Sequence, residues 1–264
     1  MQKNILITGS TDGIGKLTAI KLAGDGHSVY LHGRNREKLE SAVSEIKTTT
    51  QNDKIRGFIA DFSDLNSVQQ MADQINTELD QLDILINNAG IFKSPDLQNN
   101  KGTDIRFAVN YLAPYLLTER LISLLEKGTD PRVVNLSSAA QSPVSLDALQ
   151  GETGLSEGEA YAQSKLALTM WSFYLAEIQP DIAVIAVNPG SLLNTKMVAE
   201  AYGRSWSSAD KGAQILYELA VSDQFNGATA QYFDNDQGSF VKAHPDAYNK
   251  NKIDQLIQTT QNLI

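Results

Sequence analysis

The chain has 264 residues, 42% of them hydrophobic, and its 22 basic and 31 acidic side chains leave a net charge of −9. That length suits one α/β domain able to bury its own core. The acidic balance argues against phosphate backbones and anionic lipid as partners. With no cysteine, disulfides, thiolate chemistry and cysteine zinc sites are excluded, and a reducing compartment is suited. Met1 leads directly into Ile5-Leu6-Ile7 without the pattern of a signal peptide. No run of about 18 apolar residues occurs. A cytoplasmic location is therefore expected, with neither a membrane nor a nucleic acid as partner.

The first apolar run, Asn4–Thr8, opens into Thr8-Gly9-Ser10-Thr11-Asp12-Gly13-Ile14-Gly15, and a helical pattern, Ile14–Ala23, follows. This is the context a dinucleotide site needs. Gly9 permits the tight turn, Gly13 lets backbone approach a pyrophosphate, and Gly15 lets helix and sheet pack closely. The helix N-terminus offers free N–H groups to phosphate. The spacing is G-x-x-x-G-x-G, and a plain strand-to-helix turn is the competing reading.

The second run, Ser28–His32, ends in His32-Gly33-Arg34-Asn35. A carboxylate here would take a ribose 2′-hydroxyl and favour NAD, whereas arginine accommodates a 2′-phosphate. No carboxylate is present, and Arg34 is a planar donor fork suited to phosphate, so NADP(H) is favoured over NAD(H). The competing reading pairs Arg34 with Glu37 on the surface. Asp12, inside the glycine turn, adds no charge for a phosphate and weighs the other way.

Apolar runs and amphipathic stretches then alternate: Glu37–Lys47, Ile55–Ala60, Val68–Leu79, Leu82–Asn87, Asp104–Glu126, Arg132–Leu136, Ala160–Ile178, Ile182–Val187, Ser208–Val221 and Ala228–Phe233. The seven runs read as buried strands of a seven-stranded parallel sheet flanked by helices. The rhythm predicts a single-domain, doubly wound Rossmann-type fold over residues 1–264. Two irregular stretches follow strands, Ser142–Glu159 and Ser191–Ser207, and are expected to shape a substrate pocket.

Tyr161 and Lys165 are four residues apart in a helical pattern, on one face and roughly 5–6 Å apart at Cβ. A neighbouring ammonium favours a phenolate and lowers the tyrosine pKa from about 10. Such a tyrosine can act as a general acid or base near neutral pH. An exposed helix pair is the competing reading.

With Asn87-Asn88-Ala89-Gly90 after the fourth run, Asn110 in a helical segment, Ser137-Ser138 after the fifth and Pro189-Gly190 after the sixth, the chain resembles the short-chain dehydrogenase/reductase family. The length from Ser138 to Tyr161, and the tail from Gln231-Tyr232-Phe233 to His244-Pro245-Asp246-Ala247-Tyr248, are similar to its retinol-dehydrogenase-like branch. The resemblance implies an oxidoreductase moving a hydride between NADP(H) and a small-molecule carbonyl or alcohol.

Under that resemblance Tyr161 is the general acid/base, and Lys165 lowers its pKa and holds the nicotinamide ribose. Ser138 hydrogen-bonds the substrate oxygen, and Asn110 holds a relay water. Asn88, Ala89 and Gly90 line the adenosine side, Asp61 and Phe62 meet the adenine, and Pro189 and Gly190 flank the nicotinamide. Thr195 contacts the carboxamide or a phosphate, and Gly9, Ser10, Thr11, Asp12, Gly13, Ile14 and Gly15 form the phosphate turn.

Several residues keep a second reading. Asn110 could cap or kink a helix, Ser137 fits the strand-end turn as well as Ser138 does, and Asp61 could be a turn residue. No metal is expected, because His27, His32 and His244 lack ligand spacing. Trp171, Phe173 and Tyr174 read as core or subunit interface, and a homodimer or homotetramer is expected from the resemblance. Two alternatives stand beside the enzyme: an NADP(H)-binding redox sensor without turnover, and a sugar-nucleotide epimerase or dehydratase. The latter usually carries a larger C-terminal domain than the 74 residues after Gly190 (264 − 190).

Overall fold

Successive side chains of a strand point to opposite faces, and here both faces are covered. In the first strand Ile5 and Ile7 pack into one hydrophobic layer and Leu6 into the other, and all three are fully buried. The computed structural model describes residues 1–203 and 206–264. Its strands are β1 (Asn4–Ile7), β2 (Ser28–Gly33), β3 (Ile55–Ile59), β4 (Ile84–Asn87), β5 (Arg132–Leu136), β6 (Ala183–Asn188), β7 (Gln231–Asp234) and β8 (Ser239–Val241).

They form one sheet in the order β3-β2-β1-β4-β5-β6-β7-β8. The first seven are parallel, and β8 returns antiparallel on β7. The expected seven-stranded sheet is thus extended by one strand. With three residues, β8 is too short to show alternation, and only the turn residues Asn235 to Gly238 mark its hairpin.

Helices α1 (Gly13–Gly24), α2 (Arg36–Thr50) and α9 (Ala209–Val221) cover the face that holds Ile5 and Ile7. Helices α3 (Leu65–Glu78), α5 (Ala113–Leu125) and α7 (Glu157–Ile178) cover the other. The helical pattern over Asp104–Glu126 is broken into α4 (Ile105–Phe107), a π-turn at Ala108–Leu112, and α5. Pro114 in the first turn of α5 has no N–H, so it cannot close an α-helical bond to the carbonyl of Asn110. The wider turn is visible in the bond from the Ala113 N–H to the Ala108 carbonyl, five residues back.

Further α-helices among the described residues are α6 (Leu146–Leu149), α8 (Lys196–Tyr202) and α10 (Lys250–Gln261). The stretch 142–159 thus holds α6 and the start of α7. Of 191–207, Arg204 and Ser205 lie outside the described residues. Helix α10 buries Leu256 and Ile257 against α7, and Thr260 Oγ1 lies 2.7 Å from the hydroxyl of Tyr111 in the π-turn. Among the described residues no helix is long and apolar enough to cross a membrane.

Candidate active site

At the carboxyl ends of the parallel strands lies a cleft of about 490 Å³. Strand order reverses between β1 and β4, and the turns after these two strands interlock there. Thr8 Oγ1 accepts the N–H groups of Asn88 and Ala89, each at 3.0 Å. Asn88 Nδ2 donates to the carbonyls of Thr8 (2.8 Å) and Gly9 (2.9 Å). Gly9 has φ +63°, and a Cβ on it would lie 2.7 Å from Ala89 Cα. A Cβ on Gly15 would strike Asn88 Nδ2. Gly13, at φ +57°, is different: a Cβ there would meet only Thr195 Cγ2, at 3.9 Å across the cleft.

Asp12 caps α1 by accepting the Gly13 N–H at 2.7 Å, which gives that carboxylate a local role. Ser10 is buried, its hydroxyl donating to the Ile7 carbonyl at 2.8 Å and accepting the His32 N–H at 3.0 Å. Thr11 lines the cleft, and a Cβ on Gly33 would strike its Cγ2 at 2.5 Å.

His32, assigned no role from sequence, holds the turn from below. Its Nδ1 accepts the Gly9 N–H at 3.0 Å, and its Nε2 donates to the Ala60 carbonyl at 3.1 Å. Those partners fix the neutral Nε2–H tautomer. Complete burial lowers its pKa to about 4. The Phe62 ring stacks on it with centroids 4.1 Å apart, so Phe62 is a packing partner as well as a wall of the cleft. Asp61 is folded into a turn, its Oδ1 accepting both N–H and O–H of Ser63 at 2.9 and 2.8 Å. Arg34 is exposed at the cleft edge. Among the described residues no carboxylate pairs with it, and the neighbouring ion pair joins Arg36 to Glu40 at 3.9 Å.

Helix α7 brings the Tyr161–Lys165 pair to the same cleft. It starts in a capping box, Ser156 with Glu159, which fixes where its first turn begins. The Tyr161 ring lies 4.8 Å from that of Phe92. Lys165 Nζ sits 5.7 Å from the centroid of the Tyr161 ring and donates to the Leu136 carbonyl at 2.7 Å. Burial lowers the lysine pKa to about 8, because desolvation penalises the ammonium.

Asn110 occupies the π-turn and is fully buried. Its Oδ1 accepts the Ile91 N–H at 2.8 Å, and its Nδ2 donates to the Ile91 carbonyl and to Ser164 Oγ, both at 3.0 Å. The side chain therefore ties the Gly90–Ile91 strand end to α7. Gly90 is tight here, since a Cβ would lie 3.3 Å from both Asn110 Oδ1 and Lys165 Nζ.

After β5 the two serines diverge. Ser137 turns inward, with Oγ 2.7 Å from Thr169 Oγ1 and 3.1 Å from the Lys165 carbonyl. Ser138 faces the cleft with its carbonyl held by Tyr232 (3.0 Å) and Gln141 (2.9 Å). Pro189 and Gly190 line the cleft after β6, and Thr195 lines it while capping α8.

No residue of 142–159 lines the cleft, contrary to expectation; Ile91 and residues 93–96, after β4, do. The 142–159 stretch packs against α7 instead, with Ser142 N donating to the Ala162 carbonyl and Ser145 N to Gln163 Oε1.

The short chain dehydrogenase family model matches residues 3–205. Retinol dehydrogenase 12 of Mus musculus is 33% identical over 266 residues, covering 96% of this chain and 84% of the relative. An uncharacterized protein of Mycobacterium paratuberculosis superposes with a TM-score of 0.81 at 27% identity, covering 99% of this chain and 93% of that one. A structure described as a short chain dehydrogenase from Escherichia coli CFT073 complexed with NADPH superposes with a TM-score of 0.73 at 30% identity, covering 88% and 96%.

The neutral, buried His32 makes a pH prediction. A folded pKa near 4 against an unfolded value near 6.5 means that the unfolded chain binds the extra proton between these values. Stability is then present above about pH 6.5 and lost as pH falls toward 4. Urea unfolding is expected to show a loss of roughly 2 kcal/mol from this residue between pH 7.5 and 5. A His32→Asn variant should be less stable at pH 7.5 and lack that part of the slope.

Proposed function

Because the chain belongs to the short chain dehydrogenase family, in its retinol-dehydrogenase-like branch, it is an NAD(P)-dependent dehydrogenase or reductase, and we propose that it couples NADP(H) to the interconversion of a carbonyl and an alcohol. One observation carries the proposal. The Tyr161 ring, with the buried Lys165 ammonium 5.7 Å from its centroid, opens onto the same cleft as the glycine turn.

The residues fit a nicotinamide dinucleotide. Gly9 and Gly15 leave no room for a Cβ, whereas Gly13 faces open cleft at the start of α1. The first N–H groups of a helix lack intrahelical partners and suit phosphate. Arg34 extends at the end of β2 without a carboxylate partner among the described residues, where its fork suits a 2′-phosphate. Pro189, Gly190 and Thr195 lie on the nicotinamide side, and Asn88, Ala89, Gly90 and the edge of Asp61 on the adenosine side.

When bound, the cofactor supplies or accepts the hydride at the substrate carbon. In the reducing direction Tyr161 donates its hydroxyl proton to the carbonyl oxygen, completing the alcohol. In the oxidising direction the phenolate takes that proton back. The Ser138 hydroxyl donates a hydrogen bond to the same oxygen as negative charge develops. The Lys165 ammonium favours the phenolate form of Tyr161. Asn110 acts as a positioning residue through Ile91 and Ser164. A relay water would use its main-chain carbonyl, which Pro114 cannot engage. Ile91, Val109 and Met197 give the cleft an apolar flank, which suits an apolar carbonyl substrate.

A panel of carbonyl compounds followed by NADPH oxidation tests the reaction. Tyr161→Phe is expected to lower kcat by roughly 10²–10⁴-fold while the NADPH dissociation constant stays within about twofold; full turnover in that variant defeats the assignment. The lysine sets an alkaline limb. Its ammonium persists below about pH 8 and is lost above, so kcat/KM for the cofactor should fall as pH rises through about 8. Lys165→Arg, which does not titrate there, should move that limb upward. Arg34→Ala should weaken NADPH binding roughly tenfold or more and leave NADH binding unchanged; equal losses for both would remove the 2′-phosphate reading.

A further inference from the structure

The turn after β6, Asn188-Pro189-Gly190-Ser191, has little to hold it from within. Pro189 has no N–H to give, and Gly190 sits at φ +123°, a region open mainly to glycine. Its one bond of its own is weak, the Gly190 N–H reaching Asn188 Oδ1 at 3.3 Å. The Asn188 amide, the Pro189 carbonyl and the N–H and hydroxyl of Ser191 are instead engaged by the β7–β8 hairpin tip, about 45 residues further along the chain.

Asp236 is the centre of that tip. Its carboxylate accepts the Ser191 N–H at 3.0 and 3.1 Å, the Ser191 hydroxyl at 2.5 Å and Asn188 Nδ2 at 3.0 Å. Lys211 Nζ stands 3.7 Å away. Beside it, Asn235 Nδ2 donates to the Pro189 carbonyl at 2.8 Å, and Asp234 Oδ1 accepts Asn188 Nδ2 at 2.8 Å. Every group facing Asp236 from the turn and from α9 is a donor, so only an acceptor-only side chain satisfies all of them. Burial would raise the carboxyl pKa, yet the hydrogen bonds from Ser191 and Asn188, with Lys211, hold it below the usual range.

The glycine turn is fixed by Thr8, His32 and Asn88, and this set shares no residue with the hairpin set. The tip also lies beyond residues 3–205, the span matched by the family model.

We propose that Asp236 is a positioning residue which, through Ser191 and Asn188, fixes the Pro189–Gly190 turn and so governs the nicotinamide half of the site alone. This rests on the cofactor reading above. Loss of Asp236 lets the turn relax and weakens the hold on the nicotinamide end. The adenosine end, held by a separate network, keeps its affinity.

The test uses the full chain with Asp236→Asn and Ser191→Ala. Asp236 is about one-third exposed (35%), so the variant should fold, and thermal melts check that. NADPH is titrated by nicotinamide fluorescence and adenosine 2′,5′-bisphosphate by calorimetry. Asp236→Asn is expected to raise the NADPH dissociation constant about tenfold and to diminish the emission change on binding. Binding of the bisphosphate should stay within about twofold. Ser191→Ala should move the same way by less, and the double variant should fall short of the sum. Equal weakening of both ligands, or unchanged NADPH binding, overturns the role of Asp236 while leaving the cofactor reading intact. Wild-type protein that binds neither ligand overturns both.

Discussion

A lysine ammonium taken out of water sets the terms for the candidate site. Moving such a charge into protein costs several kcal/mol even after relaxation, and the fall of the Lys165 pKa to about 8 is that cost expressed as a proton affinity. Three elements are arranged around it. Strand β5 ends with the Leu136 carbonyl pointed at Nζ. Gly90 keeps the space beside Nζ clear by lacking a side chain. Ser137 binds the carbonyl of Lys165 itself, so the helix is pinned where its side chain emerges. The pair with Tyr161 depends on all three, since four-residue spacing on a helix aligns two side chains without saying what lies beneath them.

The rest of the cleft is assembled from two separately fixed walls. On one side the turns after β1 and β4 are interlocked by Thr8 and Asn88 and underpinned by His32. On the other, the turn after β6 leans on the hairpin tip. Parallel strands bring both turns to the same edge of the sheet, and the reversal of strand order opens the crevice between them.

Much of this was legible in the chain. The glycine turn between an apolar run and a helical pattern located the crevice, and seven of the eight strands follow from apolar runs with turn residues at their ends. Local pattern failed where the partner is remote. His32 looks like any polar residue in a strand until Gly9, 23 residues away, supplies its N–H. Asp236 reads as a turn aspartate, with nothing nearby to show that Ser191 needs it. Helix α10 carries a readable signal in Ile253, Leu256, Ile257 and Thr260, at helical spacing. The polar stretch 142–159 follows a strand, yet it folds back on α7, and no local feature distinguishes that course from one toward the cleft.

The π-turn carries a consequence of a different kind. A helix advances about 100° per residue, and a π-turn holds one residue more than the α-turn it replaces. Removing one residue between Ala108 and Leu112 would take out the extra residue of the turn and swing Asn110 by about that angle, away from Ile91. Surface loops absorb changes of length, but these five residues are a fixed count. Over evolutionary time this segment can exchange letters more readily than it can gain or lose one.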